Sequence, residues 1–154
     1  MDEKFNPSRE WFLKEVAVHG EEAVEATEHI FEWASSQHLK DAWAAPHYEW
    51  GRSYTPVIPE VEGETAPFSV APKYGHVFMG GKEIRQRHPF TLKNRWDEVV
   101  ARLYEIPEVV ETEGGYYPHI GLNALSDSET WTAFFTVVDD VVGALRRSAE
   151  RGIR

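Results

Sequence analysis

Ser126-Asp127-Ser128-Glu129 opens the stretch whose reading decides the fold. A serine with a glutamate three residues on is a capping box, the signature of a helix start. Behind it Trp131, Phe134, Phe135, Val138, Val141, Val142 and Leu145 recur at steps of three and four, the period of one helical face. This predicts a helix over 127–148. Arg146, Arg147 and Arg151 follow where the dipole favours cations. Each large side chain stabilises the fold by roughly 1.5–3 kcal/mol when fully buried. A helix carrying seven of them is expected at the centre of the core.

Working outward, Asn94 is placed to cap a helix over 95–105, with Trp96, Val99, Val100 and Leu103 on one stripe and Ile106-Pro107 ending it. Residues 107–118 read as an exposed acidic loop running into Gly114-Gly115. At the other end, Asn6 is read as an N-cap and Pro7 as the first helical residue, opening a helix that turns Trp11, Phe12 and Val16 inward and stops at Gly20. A second helix over 21–37 starts with Glu21, Glu22 and Glu25 and buries Ala23, Ala26, Ile30, Trp33 and Ala34.

Between these helical ends the period changes. From Leu39 to Gly81 the chain is rich in Tyr, Val, Thr and Phe and is broken by Pro or Gly every 8–12 residues. Strands are expected near 40–45, 52–61, 65–72 and 74–80, pairing in sequence order. Pro56, Pro59, Pro67 and Pro72 cannot donate to a ladder, so a strand of the 52–72 pair is expected at an edge or with bulges. The expected fold is one α+β domain over 1–154. It is an antiparallel β-meander with helices packed mainly on one face, in the order α-α-β-β-β-β-α-α.

Composition excludes several classes. With 154 residues, 42% of them hydrophobic, the chain has enough apolar side chain for a core. No cysteine is present, which removes thiolate catalysis and cysteine-ligated metal sites and fits a reducing cytoplasm. No 18-residue apolar run occurs, and no membrane contact is expected. None of the seven histidines pairs with another at the spacing that puts two imidazoles on one helical face. His47, His76 and His119 fall on separate strands or loops, so no metal or cofactor is expected. Gly80-Gly81-Lys82 lacks phosphate-loop spacing and reads as a turn. No Gly-x-Ser-x-Gly elbow occurs either. The reading therefore leans away from an enzyme.

Charge is the feature that points outward. Against a net charge of −10, residues 73–102 hold seven bases and three acids, while 103–140 hold eight acids and no base. Such segregation bears on what approaches the surface. Two candidate faces follow. The acidic one combines Glu21, Glu22, Glu25, Glu28 and Glu32 with the 108–113 loop, and suits a basic protein partner. The basic one combines Arg85, Arg87, His88, Lys93 and Arg95, within the 82–95 stretch, and suits phosphate groups. The first reading is an acidic accessory protein of the immunity, antitoxin or nucleic-acid-mimic type. The alternatives are a nucleic-acid-associated module and an enzyme with an unrecognised His/carboxylate site. Oligomeric state is left open.

Several strings carry a resemblance. Lys73-Tyr74-Gly75-His76-Val77-Phe78-Met79, then His88-Pro89-Phe90, then a helix ending Glu105-Ile106-Pro107, resemble a small bacterial α+β domain family with no established activity. Pro118-His119-Ile120-Gly121-Leu122-Asn123-Ala124-Leu125 resembles that family's lead-in to an apolar C-terminal helix. His88 stands where the family often has a second proline. The motifs are turns and core positions, so the resemblance implies a single bacterial domain and carries no catalytic residue.

Overall fold

The stretch from Ser126 folds as expected, into the longest helix of the molecule. In the computed structural model, which describes residues 6–46, 48, 50–80, 82–111 and 118–152 (of Lys82 the backbone alone), it spans Ser128–Glu150. We number the elements α1 (Arg9–Val16), α2 (Glu21–Ser36), β1 (Lys40–Trp43), β2 (Tyr54–Val57), β3 (Ser69–Ala71), β4 (His76–Phe78), α3 (Lys82–Arg85), α4 (Lys93–Tyr104), β5 (Val110–Glu111), β6 (Pro118–Gly121) and α5 (Ser128–Glu150). The caps shift slightly from expectation. Asp127, not Ser126, caps α5 by accepting from the Thr130 amide at 3.0 Å. Ser8, not Asn6, caps α1 by accepting from the Trp11 amide. Leu92 precedes α4 without a side-chain cap, so Asn94 lies inside that helix.

An antiparallel sheet flanked by helices is present, but it is not a simple meander. It has six strands in the order β1-β2-β3-β4-β6-β5. The expected order α-α-β-β-β-β-α-α therefore needs correction, because two more strands follow α4. The exposed loop read over 107–118 contributes the edge strand β5, and the lead-in to α5 contributes β6. These segments are too short for a local period to show (β5 has two residues), and they exist only because β6 finds the free edge of β4. The edges are β1 and β5, so the proline-rich 52–72 strands are internal and the edge position expected for one of them is not found. The prolines act instead by shortening the pairing: β2 and β3 register at Tyr54 and Val70 alone, and Pro59, Pro67 and Pro72 lie outside the strands.

Registers align one row across five strands: Trp43, Tyr54, Val70, Val77 and Ile120. The last four are buried and join one continuous core with Phe12 and Val16 of α1, Ile30 of α2, Leu103 of α4 and Phe134 and Phe135 of α5. Trp33, Phe68 and Phe135 pack ring on ring, with centroids 4.9–5.9 Å apart. Side chains alternate along a strand, so Thr55, Ser69, His76, Phe78 and His119 point the other way. Arg146 joins the end of α2 to the turn after β2, bonding Glu60 through Nε and donating to the Gln37 carbonyl at 2.6 Å. No described helix is long and apolar enough to cross a membrane.

Candidate functional site

The acidic residues of α2 form a ridge. Ala23, Ala26, Thr27, Ile30, Phe31 and Ala34 are buried on one side of the helix. At about 100° per residue, Glu21, Glu25, Glu28 and Glu32 fall within a sector of about 60° on the opposite side, with Glu22 flanking it. All five are exposed, and none forms an ion pair with a described residue. The stripe extends about 16 Å along the axis. Like charges three and four residues apart destabilise a helix, so the sequence sustains this ridge against its own repulsion. The dipole relieves only the first turn.

The basic stretch does not assemble into one face. Lys93 pairs with Asp97 one turn on, at 3.4 Å. His88 places Nδ1 2.9 Å from the Ser148 hydroxyl of α5. Arg87 is half-buried against Gly63, and it lines a cleft of about 210 Å³ together with His88, Glu60 and Glu62. Arg95 is exposed and lines a different cleft, about 250 Å³, with Glu98 and Arg147. There Arg102 pairs with Asp140 at 2.8 Å. Arg85 is exposed on α3. Arg87 and His88 thus line one hollow and Arg95 another, each also lined by carboxylates, while Arg85 and Lys93 line neither.

The histidines converge more than their spacing suggested. β6 lies beside β4, which sets His119 opposite Phe78 and diagonal to His76, and the two imidazoles stack with centroids 4.6 Å apart. Tyr74 stacks on His76 at 5.9 Å, and Trp50 tilts against Phe78 at 5.9 Å. His19 Nε2 donates to the Pro72 carbonyl at 2.7 Å, and its ring packs close on Gly75, which has φ +66°. Burial, then the charges of His119 and His19, hold His76 below the usual histidine range. His47 lies outside the described residues. Among the described residues, no three His, Asp or Glu side chains are grouped to hold a metal ion. No local period marks the four residues of β6 as a strand, so the His76–His119 pair had no signal in the sequence.

Another hollow lies elsewhere. A cleft of about 560 Å³ opens between the turn after α4 and the first turns of α5. Glu105, Glu108 and Glu129 line it, together with exposed Ala133 and the buried Ile106 and Val137. Asp127, at its margin, is held below the usual carboxylate range by the Thr130 amide and hydroxyl that it accepts from.

No family model, curated protein or solved structure matches the chain. Its function is therefore read from these surfaces.

Proposed function

We propose that this protein works by binding the cationic surface of another macromolecule through the α2 ridge, as an accessory protein of the immunity, antitoxin or nucleic-acid-mimic type. The observation that carries the reading is the ridge itself: five exposed glutamates along one helix, unpaired with any described cation. They present one charge per about 4 Å of axis, close to the roughly 3.4 Å per charge along one DNA strand. A protein surface that grips phosphates would find a comparable row of anions here. Arg9, Lys93, Arg102 and Arg146, by contrast, are paired with the chain's own acids. A long acidic ridge also steers a basic partner toward it and raises the association rate. A chain without cysteine needs no oxidising compartment, and the reading places it in the cytoplasm of a bacterium.

The test is affinity capture from the host with the wild-type chain, with Glu25, Glu28 and Glu32 changed to Lys, and with Arg85, Arg87 and Arg95 changed to Glu. The expected result is a basic protein held by wild type and by the arginine variant, but lost from the glutamate variant. Recovery of DNA or RNA with a steep salt dependence, weakened in the arginine variant, would replace this reading with a nucleic-acid-associated one. Capture of the same protein by all three forms would sink it.

A further inference from the structure

The face of the sheet turned away from the helices carries a row of rings. Tyr74, His76, His119, Phe78 and Trp50 follow one another, with neighbouring centroids 4.6–5.9 Å apart. The plane of His76 lies within 20° of Tyr74 and 28° of His119, so these three form a stack. None of the five belongs to the core cluster. Trp50 and Tyr74, at the two ends of the row, are 43% and 45% exposed. Val110, which registers with His119, is exposed as well. A contiguous patch of this kind on a protein surface marks an interaction site.

Charge sets this face apart from the rest of the molecule. Lys73 is exposed beside Tyr74, and its Nζ donates to the neutral Tyr48 carbonyl at 2.6 Å. It forms no ion pair with a described residue. Arg52, two residues after Trp50, reaches the Ala44 carbonyl, and alternation turns Lys40 of β1 toward the same side. The strand acids point the other way: Asp41 bonds Tyr54, and Glu111 registers with the buried Pro118. The α2 glutamates stand beyond the sheet and the thickness of a helix, about 10 Å, which exceeds the Debye length at physiological salt.

Ring faces with cations beside them match a planar base joined to a phosphate. We propose that the outer face of the sheet holds single-stranded nucleic acid, its unpaired bases stacking on Tyr74 and Trp50 while its phosphates lie near Lys73. A duplex covers the faces of its own bases, so only a single strand offers both parts. Every base has a π-face, and the site therefore tolerates many sequences. It lies on the opposite side of the sheet from the α2 ridge and does not depend on the ridge reading.

The probe is single-stranded oligouridine of about 12 nucleotides, compared with its deoxythymidine counterpart, an abasic strand of equal length and a duplex. Ring resonances of His76 and His119 are followed together with fluorescence anisotropy of the labelled strand. The single strands should shift both histidines saturably, and the abasic strand and the duplex should bind at least tenfold more weakly. Whichever single strand binds more tightly names the source, RNA or DNA. Tyr74→Ala and Trp50→Ala, both at half-exposed positions, should each weaken binding about tenfold, the scale of one lost base stack, while Tyr74→Phe retains it. Lys73→Gln should lower the salt slope by about one. Equal binding of the abasic strand would leave charge alone at work and overturn the assignment, as would the absence of any histidine shift. Loss of binding on changing Arg85, Arg87 and Arg95 to Glu would move the site to α3 and α4. Histidine shifts that follow protein concentration without nucleic acid would make the occupant a second copy of this chain, and would equally overturn it.

Discussion

The Tyr54 hydroxyl on β2 donates to Asp41 Oδ1 on β1 across 2.8 Å, and the same carboxylate takes two bonds from Arg9 of α1, at 2.7 and 2.9 Å. One side chain thus ties the first helix to an edge strand and orients the hydroxyl of a buried ring. Burial first, then the bond to Asp41, pushes Tyr54 well above the usual tyrosine range. Removing Asp41 strands two donors, whereas removing the Tyr54 hydroxyl leaves Asp41 still bonded to Arg9. Asp41→Ala should therefore destabilise by roughly 1–3 kcal/mol and Tyr54→Phe by about 1 kcal/mol, both read from urea midpoints. An inverted order would show that the carboxylate is not the hub.

Core packing at α5 gives the largest expected effect. Phe135 is 3% exposed, stacked on Trp131 at 3.9 Å and edge-on to Trp33 at 4.9 Å. Phe135→Ala should cost about 3–5 kcal/mol, since the surrounding rings cannot collapse fully into the space. A loss below about 1 kcal/mol, as surface changes give, would mean that this helix faces solvent.

Acid should weaken the fold through the stacked imidazoles. His76 has a folded pKa below the ordinary 6.5, so below that pH the unfolded chain takes up its proton more readily. Its stability contribution is present above the unfolded value and lost as pH falls through the folded one. Denaturation midpoints should drop on going from pH about 7.5 to about 5.5, and His76→Asn should flatten the slope. An unchanged slope in that variant would assign the acid sensitivity to other groups.

The α2 ridge predicts opposite signs for stability and binding. Changing Glu25 and Glu28 to Gln removes the like-charge pairs Glu21/Glu25, Glu22/Glu25, Glu25/Glu28 and Glu28/Glu32 together. That should stabilise the free protein by about 1 kcal/mol at low salt, less at high salt, while weakening capture of a basic partner. Lower stability in the double variant would show that the ridge is not self-repelling.

By itself the sequence determined the elements whose signal is local. The three-and-four recurrence from Trp131 to Leu145 and the Ala23–Ala34 stripe are each readable within a few turns, because helical bonds join residues four apart. The exposed glutamates of α2 were legible for the same reason. The first helix, by contrast, ends at Val16, and a 3-10 turn leads on to Gly20. The tertiary structure alone decided β5 and β6, since a strand of two to four residues has no period and gains its bonds from a distant partner, here β4. That pairing stacked His76 on His119, and the fold of α4 back along α5 opened the acidic cleft. It also divided Arg87 from Arg95, which line different hollows because the turn over 86–92 reverses the chain between α3 and α4.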